Sequence, residues 1–394
     1  MKGNSSILYL SVYAISVFLF SAAQRRKSIK ASLYQNGGNT GFGYGIDVIL
    51  VMEYFFAVLI PCLLAAFRDP SVGIDANTYI VHNYVYVQNS GEEMLPAIIK
   101  IAKLNELFFA ILIYLCAKIN SLSLLFFIIQ LLIMVPLLMA LNRLNVSYFY
   151  GMTIFYLLLY NVTLGLMRQS IAAAILVLAY TYIKEDKKWK AILLSIVSFF
   201  FHKSAIFVFA LFVVYKIIKK SRYKKIMYYL SVFFMIYILF QGRGFGESVQ
   251  DIIGSFMPSY VRALKYQYTG AINTNMVSWS NILTHGVLIL TTAVVLKISN
   301  AESSDDSDLF YMCIIGIFLR LLSMRILIAV RMAEYFDMFL VLYIPKIRKG
   351  INDSSISRLL LVVLLLAICI PFWYFFYIYK NNMNTALYIY KGWQ

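Results

Sequence analysis

Long apolar runs recur along the whole chain, and they limit its fold more than any other feature. They extend from Ile7 to Tyr379, and many are close to the roughly 20 residues that a helix needs to cross a membrane. None alternates between apolar and polar residues as barrel strands do. The chain is 61% hydrophobic and only 13% charged, whereas about a quarter of a soluble domain is charged. The sequence therefore predicts an all-α, polytopic integral membrane protein whose 394 residues form a single transmembrane domain.

The first apolar run, 7–23, is predicted to be a retained helix rather than a secretory signal, because only Lys2 precedes it and no convincing cleavage site follows. The four cysteines lie in apolar segments without paired spacing or suitable histidine neighbours, so we expect neither a disulfide framework nor a metal site. The net charge of +17 comes from short basic clusters between apolar runs. Membrane orientation explains this pattern better than nucleic-acid binding, and no nucleic-acid partner is expected.

Four dense basic clusters orient the chain, because short cytoplasmic loops retain an excess of Lys and Arg. They occupy residues 25–30, 184–190, 216–225 and 346–349. Threading the chain between them predicts about twelve transmembrane helices, some of them short enough to need local thinning of the bilayer. These helices are at 7–23, 47–67, 122–141, 147–165, 168–183, 189–201, 204–218, 226–240, 278–298, 309–330, 334–347 and 358–379.

Two segments outside these helices are predicted to lie on the outer, non-cytoplasmic side. Within the loop 68–120, the apolar stretch 104–119 is predicted to be a re-entrant or interfacial helix, because another crossing would move 184–190 outside; a tilted full span is the alternative. Nearby charges suit an approach along the interface: Glu92, Glu93, Lys100, Lys103 and Glu106. The loop 241–277 carries apolar residues at helical spacing and is predicted to cover a cavity.

The same orientation places four basic residues at the outer ends of four different helices. They are Arg68, Arg168, His202 and Arg331. Basic groups tied to membrane segments are candidates for an anion site, and helix ends can bind phosphate through guanidinium forks and unpaired backbone amides. For Arg68 and Arg168 the alternative interpretation is a simple interfacial anchor, and for His202 it is ordinary packing. Their convergence at one side of the membrane nevertheless predicts a phosphate-binding cavity.

The surroundings of these residues add further candidates. After Arg68, Pro70 and Gly73 impose a turn, and Asp75 and Tyr79 share a helical face four residues apart. Arg168 and Gln169 begin a helix, where the dipole favours an anion. His202 and Lys203 lie in a tight turn between two short helices, and histidine is a common general acid or base in enzymes.

Arg320 and Arg331 fall within about 20° of each other if 309–330 is one helix continued to residue 331. Because burial of Arg320 in a membrane costs at least about 2.5 kcal/mol, we expect it to face a polar cavity or an acid such as Glu53 or Asp337. A structural ion pair is the alternative. The triplet from Asp306 to Asp308 is set aside as a metal site, because it lies in a predicted cytoplasmic loop without a soluble domain.

Four motifs together resemble the EpsG family of Wzy-type polysaccharide polymerases over most of the chain. They are Arg68 with Gly73, Asp75 and Tyr79; Arg168-Gln169-Ser170 and the residues that follow; His202-Lys203-Ser204-Ala205; and Arg331-Met332-Ala333-Glu334-Tyr335-Phe336. The most specific part is the Arg-Gln pair followed by His-Lys-Ser, with a short basic loop between them. The ending Tyr390-Lys391 is also similar to that of the family.

The resemblance implies a GT-C-type glycosyltransferase in the bacterial inner membrane with its active site facing the periplasm. Such an enzyme transfers a growing O-antigen or related glycan from undecaprenyl diphosphate to the non-reducing sugar of an incoming lipid-linked repeat unit. The transfer inverts the anomeric configuration and uses neither a nucleotide sugar nor a metal or other cofactor. Membrane lipid and a Wzz-type chain-length regulator are the other partners that the resemblance suggests.

In this scheme the cations stabilise the departing lipid diphosphate, whose negative charge rises in the transition state. Arg168 and Arg331 are assigned to the diphosphate, with Arg68 and Lys203 in support and Arg320 as a deeper candidate. The general base is predicted to be His202, followed by Asp75 and then Glu334. Sugar contacts are assigned to Tyr79, Gln169, Tyr260 and Tyr335, although aromatic belts at the membrane interface explain tyrosines equally well.

Two other functions remain open at this point. A flippase for lipid-linked oligosaccharides also needs a cationic cavity, but the chain shows no convincing internal repeat, and its candidate residues gather at one face rather than at the midplane. A ligase that transfers finished glycan to lipid A core is chemically closer, and the sequence separates it from a polymerase only through the family resemblance.

Overall fold

The computed structural model describes residues 2–35, 47–104, 106–210, 237, 279–323, 328–351 and 354–392. In these ranges the regular structure is helical, apart from a single antiparallel bridge between Arg68 and Tyr390. The chain forms two compact units, of which the first comprises residues 1–203 and 359–394 and the second residues 204–358. The chain is therefore a helical membrane protein, as its apolar runs predict.

The first unit contains ten helices before residue 203 among its described residues. They are α1 (Lys2–Gln35), α2 (Val48–Ala66), α3 (Val81–Ser90), α4 (Met94–Leu104), α5 (Leu107–Lys118), α6 (Leu122–Arg143), α7 (Tyr148–Ile154), α8 (Tyr160–Gly165), α9 (Met167–Lys184) and α10 (Lys188–Phe201). The π-helical turn Ala76–Ile80 precedes α3. A second π-helical turn, Phe155–Leu159, joins α7 to α8.

Helix α9 lies at the centre of the first unit. Its residues from Gln169 to Thr181 are all buried, which suits a helix that is apolar on every side. It packs against α6 and α10. The small residues 172–174 allow α10 to approach closely, and Ser198 Oγ donates a hydrogen bond of 2.9 Å to the carbonyl of Ala172. The start of α9 is thereby fixed within the packed core.

The C-terminal segment closes the first unit. Asn161 is fully buried; its Oδ1 accepts hydrogen bonds from Tyr13 (3.0 Å) and from Trp373 Nε1 (2.8 Å), and its Nδ2 donates to Thr385 (2.9 Å). Because unpaired buried polar groups are costly, this satisfied amide ties α1 and the C-terminal segment to α8.

The second unit contains α11 (Trp279–Ile298), α12 (Ser304–Leu322), α13 (Ile328–Asp337), α14 (Leu340–Tyr343) and a 3-10 segment, Ile344–Gly350. Helix α15 (Ser355–Trp373) begins in the last residues of the second unit, and from residue 359 onwards it belongs to the first unit. A π-helical turn, Tyr374–Tyr379, extends this helix. Asp306 completes a capping box with Ser303 at the start of α12, and it also pairs with Lys349 at 3.0 Å. This carboxylate therefore has a structural role.

Five helical segments of the described residues are long and apolar enough to cross a membrane: Gly3–Ser32, Val48–Ala66, Leu122–Arg143, Trp279–Ile298 and Ser355–Tyr379. Each coincides with one of the predicted helices. Helix α5 has 12 residues and rises about 18 Å, less than the roughly 30 Å of hydrocarbon. That length suits the predicted re-entrant or interfacial helix. Apart from residue 237, the predicted helix 226–240 and the loop 241–277 lie outside the described residues.

Two helices that were predicted to be continuous are interrupted in the structure. The helix predicted at 309–330 ends at Leu322, where the hydroxyl of Ser323 donates a 2.6 Å hydrogen bond back to the carbonyl of Arg320. Such side-chain bonds compete with helix propagation. The helix predicted at 334–347 is interrupted after Asp337, and its end is replaced by the 3-10 segment that begins at Ile344, whose second residue, Pro345, has no amide N–H. Arg320 and Arg331 therefore lie on different helices, and the 20° calculation does not apply.

Candidate active site

Arg168 lies in the first turn of α9, as the sequence predicts. Its Nη1 donates a hydrogen bond of 3.0 Å to Glu106 Oε2. Its guanidinium carbon lies 5.3 Å from the ring centre of Tyr79 and 5.9 Å from that of Phe109, distances at which a cation is attracted to a ring face. The cation is thus held between a carboxylate and two aromatic rings at a helix N-terminus, which itself favours anions.

Glu106 joins Arg168 to His202. The residue is buried, and its Oε1 lies 2.8 Å from His202 Nδ1 and accepts a longer bond of 3.4 Å from the backbone N–H of Lys203. Burial by itself raises the pKa of the Glu106 carboxyl. The hydrogen bond and charge of His202 and the charge of Arg168 outweigh that effect and lower the pKa to about 2. Glu106 is therefore a carboxylate at neutral pH.

His202 occupies the turn that the sequence predicts between two helices. Helix α10 ends at Phe201, a new helical segment begins at residue 205, and His202 has an extended backbone. The imidazole is buried, whereas Lys203 is exposed. The turn therefore presents a buried imidazole beside an exposed cation.

The sequence reasoning identified Arg168 and His202 but did not assign a site role to Glu106. Glu106 entered only as one of several charges that suit an interfacial helix. The available signal is its position immediately before the apolar helix α5. An acid there is ordinarily interpreted as part of a helix start, so only the folded chain reveals that its carboxylate contacts residues 62 and 96 positions away.

Asp75 precedes the π-helical turn Ala76–Ile80, which contains Tyr79. Tyr79 reaches Arg168, as described above. Asp75 is buried, and its side chain makes no capping hydrogen bond to this turn. Its loop is held by the C-terminal segment, since Gly73 donates to Asn384 O over 3.1 Å and Asn384 Nδ2 donates to Ser71 O over 2.6 Å.

Arg68 is buried with only 3% of its surface exposed. Its Nη2 lies 3.1 Å from Met167 Sδ, and its guanidinium carbon is 4.5 Å from the ring centre of Phe126. Nε and Nη1 have no hydrogen-bond partner among the described residues. Burial lowers the pKa of Arg68 to about 10, so the group remains a cation at neutral pH. The described contacts of its guanidinium are thus with sulfur and an aromatic ring.

A second buried charge cluster lies in the second unit. Arg320 Nη2 donates to Glu334 Oε1 over 2.9 Å, and its Nε donates to Asp337 Oδ2 over 3.0 Å. His285 Nδ1 is 3.4 Å from Asp337 Oδ1. The expected acid partner Asp337 is confirmed, whereas Glu53 instead pairs with Arg26 in the first unit at 3.0 Å. Two carboxylates thus already neutralise Arg320.

The remaining predicted residues are placed as follows. Arg331 lies in α13 and is partly exposed, and Gln169 is buried in α9 beside Arg168. Tyr335 is buried in the second unit, where its hydroxyl is 2.9 Å from Ser204 Oγ. Tyr260 lies outside the described residues. The first unit therefore brings together Arg168, His202 and Tyr79 around Glu106.

The family model of the EpsG family matches residues 51–391, a range that includes every predicted site residue. The chain belongs to the EpsG family. The resemblance to the EpsG family is thereby confirmed, and EpsG membership indicates a membrane glycosyltransferase of the Wzy-like polysaccharide-polymerase type. No curated protein and no solved structure shows a match to this EpsG-family chain.

Proposed function

We propose that this chain is a polysaccharide polymerase that transfers a growing glycan from undecaprenyl diphosphate to the non-reducing sugar of an incoming lipid-linked repeat unit. The acceptor hydroxyl oxygen attacks the anomeric carbon of the donor, and the carbon–oxygen bond to the diphosphate breaks. The lipid diphosphate leaves with the bonding electron pair, and the hydroxyl proton passes to a base. Attack opposite the leaving group inverts the anomeric configuration.

The observation that carries this proposal is the contact of Arg168 and His202 with the same carboxylate at the start of α9. The reaction needs a cation for the leaving group and a base for the acceptor hydroxyl. Arg168 supplies the first requirement and His202 the second. The helix N-terminus adds backbone dipoles that favour a phosphate.

The remaining roles are proposed on weaker grounds. Lys203 is an exposed cation next to His202, Arg68 is a buried cation that no acid of the described residues contacts, and Arg331 belongs to the fourth family motif. Arg320 ranks last for the diphosphate because two acids already neutralise it. Asp75 and Glu334 follow His202 as candidate bases, and Tyr79, Gln169, Tyr260 and Tyr335 are assigned to sugars.

The proposed setting is a GT-C-type arrangement of about twelve transmembrane helices in the bacterial inner membrane. The site faces the periplasm, where lipid-linked repeat units are presented. A Wzz-type chain-length regulator is the proposed protein partner. Arginine and lysine cations replace a metal ion in stabilising the diphosphate, and no cofactor is required.

Glycan analysis of a deletion strain complemented with wild type, Arg168→Ala, His202→Ala or Arg331→Ala tests the proposal. Surface glycan is separated by length, and membrane levels of each variant are measured. A deletion strain that keeps single repeat units but lacks longer glycans supports polymerisation. Loss of single units as well points instead to a flippase or ligase, and normal ladders in all three variants contradict the assigned site.

A further inference from the structure

Glu106 is the N-cap residue of α5, but its side chain does not cap that helix. Its backbone is extended, and its carbonyl accepts from Ala110 N–H over 2.9 Å. The N-cap side chains of Asp47 and Ser121 do cap their helices. The Glu106 carboxylate is instead committed to His202 and Arg168, so this part of the chain stabilises the cluster rather than the helix end.

The charge of Glu106 determines which hydrogens its neighbours carry. The carboxyl pKa of about 2 keeps the group ionised at neutral pH, and an ionised carboxylate only accepts hydrogen bonds. His202 Nδ1, 2.8 Å away, must therefore be the donor. In neutral His202 the hydrogen then lies on Nδ1, and the lone pair lies on Nε2, which has no hydrogen-bond partner within the described part of the chain.

Arg168 completes the charge balance. Its guanidinium neutralises Glu106 when His202 is uncharged. When a proton reaches Nε2, the carboxylate stabilises the resulting imidazolium across the 2.8 Å contact. Among the described residues, Glu106 is the charged group that contacts His202, and Arg168 is the charged group that contacts Glu106. Lys203 follows His202 in the chain. The Glu106 carboxylate therefore has a cationic partner in both protonation states of the imidazole.

We propose that Glu106 is the positioning residue of this site, which holds His202 with Nδ1 protonated so that Nε2 accepts the proton of the attacking sugar hydroxyl. This inference rests on the proposed function. The proton moves from the acceptor hydroxyl to Nε2 as the new glycosidic bond forms and the bond to the diphosphate breaks. It later leaves His202 for water or for the released diphosphate, which restores the neutral imidazole.

The first test measures the tautomer without any reaction. The full chain is labelled with nitrogen-isotope histidine and placed in nanodiscs, and the His202 signals are assigned by comparison with His202→Asn. In the unprotonated ring we expect a protonated Nδ1 and an unprotonated Nε2. Glu106→Gln, whose amide can also donate, is expected to give a mixture of tautomers. A hydrogen on Nε2 in the wild type overturns the proposal.

The second test measures polymerisation by the same preparations. The substrate is the lipid-linked repeat unit extracted from the deletion strain, and the readouts are kcat and KM across pH. Because general-base catalysis contributes about 10²–10⁴-fold, we expect Glu106→Gln to lose at least about 100-fold in kcat. The acidic limb of its pH profile should move to lower pH, since the imidazolium loses its carboxylate. Glu106→Asp should recover part of the rate and the original limb.

Glu92→Gln is the matched control, because Glu92 belongs to the same unit but its pair with Lys100 is partly exposed and 3.4 Å long. It should keep the wild-type kcat and pH profile. An unchanged pH profile in Glu106→Gln, or a change confined to KM, overturns the positioning role. If the wild type makes no polymer while the tautomer result holds, the proposed function fails and the placement of the histidine hydrogen stands.

Discussion

Arg320 Nε donates a 3.0 Å hydrogen bond to Asp337 Oδ2, a contact that neutralises a guanidinium buried inside the second unit. Glu334 adds a second acid at 2.9 Å. Arg68 is equally buried in the first unit but lies against Met167 and Phe126, and no acid contacts it among the described residues. Two buried arginines of one chain thus have opposite electrostatic surroundings.

This difference predicts opposite effects of one substitution. Arg320→Met leaves two buried carboxylates without their cation and should cost about 3–5 kcal/mol of stability. Arg68→Met removes a buried charge that has no counterion, and should change stability little or raise it by about 1–2 kcal/mol. Thermal unfolding of both variants in the same detergent measures the difference. If polymer formation requires Arg68, Arg68→Met also loses activity while it stays folded.

Arg26→Met provides the reference for an arginine whose pair is partly exposed, since 39% of its side chain is accessible. Exposed pairs contribute about 0–1 kcal/mol, so its unfolding temperature should lie close to that of the wild type. Equal destabilisation by Arg68→Met and Arg320→Met would show that the acids paired with Arg320 do not determine the stability cost of its replacement.

Arg168 should be sensitive even to replacement by lysine. The guanidinium contacts a carboxylate and two aromatic faces at once, whereas an ammonium group is a compact point charge. Because removal of one transition-state donor costs about 10²–10³ in kcat, we expect Arg168→Ala to lose that much and Arg168→Lys to retain a small part. Rates are measured with lipid-linked repeat units in nanodiscs.

Arg143→Lys is a suitable control for this experiment. Arg143 is also partly buried in the first unit and also combines an acid, Glu185, with an aromatic ring, Tyr182. It is remote in sequence from the four motifs, so its replacement should leave kcat unchanged. A similar loss of kcat in Arg143→Lys would show that replacing a packed arginine by lysine impairs folding. The effect of Arg168→Lys could then not be assigned to the reaction.

The sequence was informative about this fold wherever local chemistry decided the structure. Apolar runs located the long helices, and the Arg168 and His202 motifs were correctly placed at a helix start and in a turn. The break after Leu322 was missed, because the apolar pattern continues past the point where Ser323 binds back to Arg320. A hydropathy pattern indicates which residues are buried. It does not indicate where a side chain ends a helix by binding a backbone carbonyl.

Long-range partners could be predicted only in part. Asp337 was one of two acids named for Arg320, and the structure selects it over Glu53. Glu106 was not predicted as the partner of His202, because the two residues are 96 positions apart and the link between them is a tertiary contact. Charge type limits which pairs can form, but the packing of α5 against α10 decides which of them do.

The ionisation of Glu106 predicts how stability depends on pH. Its pKa in the folded chain, about 2, is lower than the ordinary value of 4.5. A carboxyl with a depressed pKa stabilises the folded state above its unfolded pKa, and that contribution is lost as pH falls towards the folded pKa. The unfolding temperature of the wild type should therefore exceed that of Glu106→Gln at neutral pH, and the gap should narrow below about pH 4.5.

The unfolding temperatures of both proteins, measured from about pH 7 to pH 3 in one detergent, test this dependence. Subtracting the two curves removes the carboxyls that they share. Glu92→Gln, which changes an acid with 34% of its side chain exposed, should follow the wild-type curve closely. A gap between wild type and Glu106→Gln that stays constant down to pH 3 would contradict the ionised, paired carboxylate.

Gly73 controls the placement of the loop that carries Asp75 and Tyr79. Its φ of +107° is a conformation that other residues rarely adopt, and an added Cβ would lie 2.2 Å from the carbonyl oxygen of Leu164. That oxygen belongs to the buried helix α8 and cannot move aside cheaply. Gly73→Ala should therefore displace the loop, move Tyr79 away from Arg168 and lower both the unfolding temperature and the polymerisation rate.

Gly91→Ala separates the steric effect from the cost of a positive φ. Gly91 has a φ of +60° and no atom within 4 Å of an added Cβ, so its replacement should cost only about 1 kcal/mol. The clash at Gly73 adds to such a cost, and the two variants should differ clearly in unfolding temperature and in kcat. Equal behaviour of the two alanine variants would mean that the approach of Gly73 to Leu164 does not hold the loop in place.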